Sequence, residues 1–149
     1  DWIVLASSSG GTQAGLVLGA KQTGFLGRIL GISVDKPADE LMQTIMALAN
    51  QTAAWLGIDK KIESEDVLVN GAYCQAGYGI LQPAEVEAIR LFARTGGILL
   101  DPVYTGRAAA GLIDLIRKGF FSPNETVLFW HTGGIPALFA EPYTSALLG

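Results

Sequence analysis

The chain has 149 residues, of which 50% are apolar and 16% are charged, and its formal net charge is −4. This composition is typical of a folded globular domain and argues against disorder and against a basic nucleic-acid-binding surface. One cysteine, Cys74, and one histidine, His131, exclude an internal disulfide and a Cys/His zinc cluster, and no apolar run approaches the roughly 20 residues that span a bilayer. We therefore expect one cytoplasmic α/β segment, 1–149, that binds a small molecule or another protein.

Apolar runs alternate with segments of helical spacing along the chain. In chain order the predicted elements are a strand over 2–6, a helix over 12–21, a strand over 29–34, a helix over 38–56, a possible short strand over 66–69, a helix over 83–94, a strand over 98–100, a helix over 107–118 and a strand over 127–130. Continuous apolar strands between amphipathic helices are typical of a parallel sheet that is buried on both faces. The predicted fold class is α/β: an open, mainly parallel sheet with helices on both faces.

The stretch NGAYCQAGYGI, residues 70–80, contains glycines and aromatic side chains without a clear period. Neither a helix nor a strand explains this composition. We interpret it as a functional loop or a packing loop.

The loop SSSGGTQAG follows the first predicted strand, where open α/β sheets bind their ligands. Gly10 and Gly11 allow a ligand to approach the backbone, the next helix offers unpaired N–H groups, and Ser8, Ser9 and Thr12 add hydroxyl donors. These features favour a phosphate, while a tight turn with Ser/Thr capping is the alternative. The loop lacks the lysine of an ATP-binding P-loop and the G-x-G-x-x-G spacing of a dinucleotide site.

Two further loops follow predicted strands. In LLDPVYTGRAAAG, Tyr104 and Thr105 lie at the mouth of the sheet, where a tyrosine can donate a proton, stack on a ring or simply pack with its hydroxyl in water. In LFWHTGGIPALF, two glycines turn the chain toward a short helix that begins near Ile135. Thr132 is placed to contact a ligand ring, and we expect His131 to be a structural hydrogen-bonding residue.

Taken together and in this order, SSSGGTQAGL, LLDPVYTGRAAAGLIDLI and HTGGIPALFA resemble the C-terminal half of the D-cysteine desulfhydrase and 1-aminocyclopropane-1-carboxylate (ACC) deaminase family. These are fold-type II enzymes that depend on pyridoxal 5′-phosphate. The resemblance implies a cofactor-domain fold in which the phosphate is held by the residues Ser9, Gly10, Gly11 and Thr12.

The same resemblance implies roles for three residues in the other two motifs. Tyr104 matches the catalytic tyrosine beside substrate and cofactor, Thr105 follows it in a cofactor-binding position, and Thr132 matches the contact to the pyridine nitrogen in the desulfhydrase branch. ACC deaminases look like DPVYEG and HLGG here, so both threonines favour the desulfhydrase branch. The implied reaction is β-elimination of D-cysteine to pyruvate, sulfide and ammonia, with an ACC deaminase-like activity as the alternative.

The family's Schiff-base lysine belongs to an N-terminal portion whose motifs are absent from this chain. We interpret the lysines of the chain as solvated: Lys21, Lys36, Lys60, Lys61 and Lys118. We therefore expect the chain to be part of a longer enzyme, homodimeric when complete, and to be inactive unless the N-terminal part or a complementing chain is present. Two alternatives are a truncated non-catalytic module that binds phosphate or pyridoxal phosphate, and an unrelated flavodoxin-like domain that binds a flavin phosphate.

Overall fold

A computed structural model describes residues 1–148 of the protein. The described part contains a four-stranded sheet in the order β3-β2-β1-β4, with every neighbouring pair parallel. The strands are β1 (Trp2–Ser7), β2 (Arg28–Ser33), β3 (Leu68–Asn70) and β4 (Val127–Trp130). In the sheet register Trp2 of β1 lies opposite Arg28 of β2 on one side and Val127 of β4 on the other.

The helices of the described chain are α1 (Gly11–Thr23), α2 (Ala38–Leu56), α3 (Pro83–Gly96), α4 (Thr105–Arg117) and α5 (Tyr143–Leu148), with 3₁₀ turns at Ser64–Asp66 and Ile135–Phe139. Local sequence explains several of their ends. Gly57, with φ of +67°, ends α2. Helix α3 starts with a capping box between Gln82 and Glu85, and Pro83 is its first residue. Among the helices of residues 1–148, none is long and apolar enough to cross a membrane.

Helices cover both faces of the sheet, as predicted. On one face, Leu5 and Ile29 pack with Leu41 and Ile45 in a cluster formed with α1 and α2. On the other face, Val4, Leu30 and Ile32 of the sheet pack with Ala108, Leu112 and Leu115 of α4. Helix α3 lies outside α4, where Ala88 and Ile89 pack with Ala109 and Ala110. The alternation of Val4 and Leu5 between the two clusters shows why the strand is continuously apolar.

The predicted strand over 98–100 is wrong. Leu100 is fully buried, but Ile98 and Leu99 are exposed and the segment has no place in the described sheet. The carbonyl of Leu99 bonds to the His131 side chain at 2.9 Å, and the fourth strand is instead β3, near the short strand considered at 66–69. An apolar run shows only that side chains pack, whereas a strand also requires a neighbouring backbone in register.

The strand order creates a crevice at the carboxyl end of the sheet. From β1 the chain passes through α1 to β2 and through α2 to β3, and it later returns to the opposite side of β1 to form β4. The loops that follow β1 and β4 therefore leave adjacent strands in different directions. Such a switch point is where open α/β sheets bind ligands.

Candidate active site

A cleft of about 320 Å³ lies at this switch point. Residues 6–12, from the end of β1 to the start of α1, form one wall, and Tyr104 with residues 132–134 after β4 forms the other. The structure thus brings together six predicted site residues: Ser9, Gly10, Gly11, Thr12, Tyr104 and Thr132. A larger cavity of about 740 Å³ runs along the outer surface of α3, but none of the predicted site residues lines it.

The amino end of α1 faces the cleft with its backbone donors available. Gly10 precedes the helix with φ of +82°, and a Cβ at this position would lie 2.8 Å from Cγ1 of Ile45, so a glycine is required. Within residues 1–148 no side-chain cap hydrogen bond closes this end of the helix. The first N–H groups of a helix have no intrahelical partner, and the helix dipole is positive there. The Ser/Thr-capped turn considered for this loop is therefore not the conformation observed.

Two further features make this end of the cleft suitable for an anion. Ser7 is buried and its Oγ, which can donate a hydrogen bond, has no partner among the described residues. A Cβ added to Gly11 would meet no atom within 4 Å, so the space beside that residue is open. An unpartnered buried hydroxyl beside free backbone donors fits a group with several acceptor oxygens, such as a phosphate.

Lys36 differs from the solvated lysine expected from the sequence. It follows β2, and its Nζ donates to the carbonyl of Ser8 at 3.0 Å in the loop that carries the anion donors. Two other lysines, Lys61 and Lys118, form ion pairs at the surface with Glu63 and Asp114. Lys36 therefore brings a positive charge close to the loop after β1 and fixes its backbone.

Tyr104 stands at the amino end of α4, with its side chain partly exposed to the cleft. Asp101 Oδ2 accepts a hydrogen bond from the backbone N–H of Tyr104 at 2.8 Å, which fixes the start of the helix. The Tyr104 hydroxyl is hydrogen-bonded to the hydroxyl of Tyr78, and the two rings meet edge to face with centroids 5.8 Å apart. Sequence reasoning placed Tyr78 in an unassigned loop and did not select it.

The surroundings of Tyr104 keep its phenol neutral. The hydrogen bond with Tyr78 and partial burial, together with the nearby charges of Asp101 and Asp35, raise the pKa of Tyr104 to about 12. Asp35 follows β2, and its buried Oδ1 has no hydrogen-bond partner in the described chain. At neutral pH the Tyr104 hydroxyl is therefore protonated.

Thr105 lies outside the cleft, unlike the other predicted site residues. Its side chain is fully buried, its hydroxyl donates to Asp101 Oδ1 at 2.7 Å, and it accepts the backbone N–H of Asp101 at 2.9 Å. Both hydrogen bonds of the hydroxyl are thus made within the turn that precedes α4. This geometry does not support the direct contact with the cofactor expected for Thr105. Thr105 instead holds Asp101 in place, and Asp101 in turn fixes the backbone of Tyr104.

The loop after β4 forms the wall opposite the anion donors. The expected structural role of His131 is confirmed: its Nε2 donates to the carbonyl of Leu99 at 2.9 Å and its Nδ1 accepts the N–H of Gly133 at 3.0 Å. Gly134 packs so closely on Asp101 that an added Cβ would lie 2.7 Å from the carboxyl carbon. These contacts place Thr132 at the cleft and lock its loop against the turn that carries Tyr104.

Comparison with known proteins decides the family. The family model described as "Pyridoxal-phosphate dependent enzyme" matches residues 1–133. The chain belongs to this family. The resemblance to fold-type II enzymes and the predicted cofactor, pyridoxal phosphate, are thereby confirmed, and the flavodoxin-like alternative is set aside.

Similar proteins of this family are ACC deaminases. Those of Burkholderia vietnamiensis and Pseudomonas syringae pv. tomato are 39% and 38% identical to the chain, over 94% and 96% of its length but only 41% and 42% of theirs. A crystal structure described as an ACC deaminase homologue matches 99% of the chain and 43% of its own, with a TM-score of 0.85 and 37% identity. The chain therefore spans less than half the length of these relatives.

Proposed function

We propose that this chain is the phosphate-binding side of the active site in a longer pyridoxal-phosphate enzyme that acts on a small amino acid. One observation carries the proposal: the uncapped amino end of α1 lies in one cleft with the unpartnered hydroxyl of Ser7 and the side chain of Tyr104. A phosphate-binding end and a proton-transferring group are two of the functions that a cofactor-dependent site takes from its protein.

The residues at the amino end of α1 suit the cofactor phosphate. Backbone N–H groups near Gly11 and Thr12, the hydroxyls of Ser7 and Ser9, and the positive end of the helix dipole all attract an anion without a basic side chain in direct contact. The bound cofactor supplies an electron sink for the α-carbon of the amino acid. The chain itself supplies binding, orientation and proton transfer.

Tyr104 is the residue we propose to transfer a proton. Its Oη is neutral at physiological pH, lies at the cleft and is oriented by the hydroxyl of Tyr78. On the same wall, the hydroxyl of Thr132 is the proposed partner of the pyridine nitrogen. A neutral hydroxyl does not enforce protonation of that nitrogen as a carboxylate would, so it moderates the electron sink.

The substrate we propose is D-cysteine, which loses its β-thiolate to yield pyruvate, sulfide and ammonia. Thr105 and Thr132 support this branch, since ACC deaminases resemble DPVYEG and HLGG at these places. Deamination of ACC is the second candidate, because the similar proteins named above are ACC deaminases.

Product analysis of the complete enzyme tests these proposals. Purified protein with its N-terminal part and cofactor is offered D-cysteine, L-cysteine and ACC, and sulfide, ammonia and the keto acid are measured. We expect sulfide from D-cysteine, a loss of about 10²–10⁴-fold in Tyr104→Phe, and no turnover by the present chain alone. Ammonia from ACC without sulfide from D-cysteine would establish the second candidate, and full activity of Tyr104→Phe would refute the role of that tyrosine.

A further inference from the structure

The largest fully buried side chain in the described chain belongs to Arg107 on α4. Its Nε donates to Oε1 of Glu85 at 2.9 Å, so the buried charge is paired. Three of the four remaining N–H groups donate to backbone carbonyls: those of Nη1 bond to Val34 at 2.6 Å and to Gly77 at 2.9 Å, and one of Nη2 bonds to Ile80 at 2.7 Å. One guanidinium thus joins α4, α3, the end of β2 and the loop before α3.

Two of those carbonyls flank Tyr78 in the sequence. Gly77 precedes the tyrosine and Ile80 follows two residues later, so Arg107 holds the loop on both sides of it. Tyr104, the partner of Tyr78, lies one helical turn before Arg107. The same side chain that anchors the loop therefore belongs to the helix that carries the other ring.

Other side chains hold this loop further from Tyr78: the Tyr73 hydroxyl donates to Asp114 Oδ2 at 2.6 Å, and the Cys74 thiol donates to the carbonyl of Lys36 at 3.2 Å. Beside Tyr78 itself, one more hydrogen bond comes from α5. The Tyr143 hydroxyl donates to the carbonyl of Gly79 at 2.7 Å from the opposite direction. Gly77 and Gly79 both have positive φ, a conformation that glycine adopts without strain. The backbone on both sides of Tyr78 is thus held by side chains of other elements, Arg107 and Tyr143.

A guanidinium suits this task better than an ammonium. Its donors are arranged in a rigid plane, so one side chain reaches carbonyls in several directions while pairing with a carboxylate. Glu85 strengthens the arrangement, because its other oxygen accepts the N–H of Gln82 at 3.0 Å and thereby fixes the start of α3. Removing the guanidinium alone would leave this buried carboxylate without its charge partner.

We propose that Arg107 is a positioning residue that sets the hydrogen bond between Tyr78 and Tyr104, and so the place of the proton-donating hydroxyl in the cleft. The proposal rests on the function proposed for Tyr104. Arg107 itself contacts neither cofactor nor substrate, since it is enclosed by backbone and by Glu85.

The test compares Arg107→Lys with Arg117→Lys in the complete protein. Arg117 is a matched control because it lies on the same helix and pairs with Glu87 at the exposed surface. Lysine keeps the charge beside Glu85 but lacks the planar set of donors. We expect Arg107→Lys to lower kcat between about 10- and 100-fold with a smaller change in KM, and the control to leave both unchanged.

A titration of cofactor-free protein supplies a readout that does not depend on activity. Tyrosine labelled with ¹³C at Cζ reports ionisation of each phenol by NMR, with Tyr104→Phe identifying the signal. We expect Arg107→Lys to lower the pKa of Tyr104 from about 12 toward 10, because the Tyr78 hydrogen bond is its largest cause. An unchanged titration in a folded Arg107→Lys protein would overturn the proposal.

A second variant keeps the test valid if lysine prevents folding. Glu85→Gln combined with Arg107→Met removes both charges, retains an amide oxygen for Gln82 and deletes the donors to Gly77 and Ile80. The same fall in the Tyr104 pKa is expected, and its absence counts against the proposal. If Tyr104→Phe leaves turnover intact while Arg107→Lys shifts the titration, the proposed function fails and the positioning role stands.

Discussion

Gly133 and Gly134 form a natural pair for measuring how tightly the loop after β4 is locked to the turn before α4. Both have positive φ, at +101° and +93°, so an alanine at either position is conformationally strained by about 1–3 kcal/mol. Only Gly134 is also crowded: its Cβ would lie 2.7 Å from Cγ and 2.8 Å from Oδ1 of Asp101, whereas nothing lies within 4 Å at Gly133.

The additional cost at Gly134 follows from what Asp101 does. Its buried carboxylate accepts hydrogen bonds from the backbone N–H groups of Val103, Tyr104 and Thr105 and from the Thr105 hydroxyl, at 2.7–2.8 Å. Hydrogen bonds to a charged group contribute about 1.5–3 kcal/mol each. If the alanine displaces the carboxylate enough to lose one of them, Gly134→Ala destabilises by about 1.5–3 kcal/mol more than Gly133→Ala.

Chemical unfolding of the complete protein measures this difference. Wild type and both variants are unfolded in urea, followed by tryptophan fluorescence, and compared at equal slopes of the unfolding transition. Gly134→Ala should also reduce activity more than Gly133→Ala, because Asp101 anchors the backbone of Tyr104. Equal losses of stability in the two variants would refute the tight packing of Gly134 on Asp101.

Two further predictions concern the walls of the cleft. Tyr78→Phe should lower the pKa of Tyr104 from about 12 toward its ordinary value of 10 in a ¹³C titration, and an unshifted value would contradict the hydrogen bond as its main cause. Because the pKa of Tyr104 is raised in the folded protein, its contribution to the free energy of unfolding is complete below pH 10 and disappears as the pH rises to 12. Stability should therefore fall less steeply over that interval in Tyr78→Phe. His131→Ala should destabilise by about 1–3 kcal/mol in urea unfolding, since it removes the donor to Leu99 and the acceptor for Gly133, and a loss below 0.5 kcal/mol would contradict its structural role.

The sequence predicts the parts of this protein that depend on local pattern. Helix α2 occupies its predicted residues, 38–56, because apolar side chains recur at helical spacing and Gly57 ends the helix. The three predicted site segments are each contiguous in the sequence, and two of them follow the neighbouring parallel strands β1 and β4, which brings them together with Tyr104. The fold class and most of the candidate site can therefore be predicted from the sequence.

What the sequence does not predict depends on contacts between distant residues. Tyr78 reaches Tyr104 from a loop whose backbone is bonded by Arg107, 29 positions later in the chain. Thr105 stands beside Tyr104 in the chain, yet its backbone turns its hydroxyl inward to Asp101. The glycines around Tyr78 were a usable signal, since a loop with two of them beside an aromatic residue indicates a shaped backbone.

The central claim is that the amino end of α1 binds the phosphate of the cofactor. Its most direct test is the affinity of the complete cofactor-free protein for pyridoxal 5′-phosphate and for unphosphorylated pyridoxal, in Gly11→Ala and in Gly19→Ala. Both glycines lie in α1 with open space beside them, but only Gly11 lines the cleft. We predict that Gly11→Ala weakens binding of the phosphorylated form about tenfold or more while pyridoxal binding and Gly19→Ala remain as in wild type. Equal affinity of wild type and Gly11→Ala for pyridoxal 5′-phosphate would contradict the account.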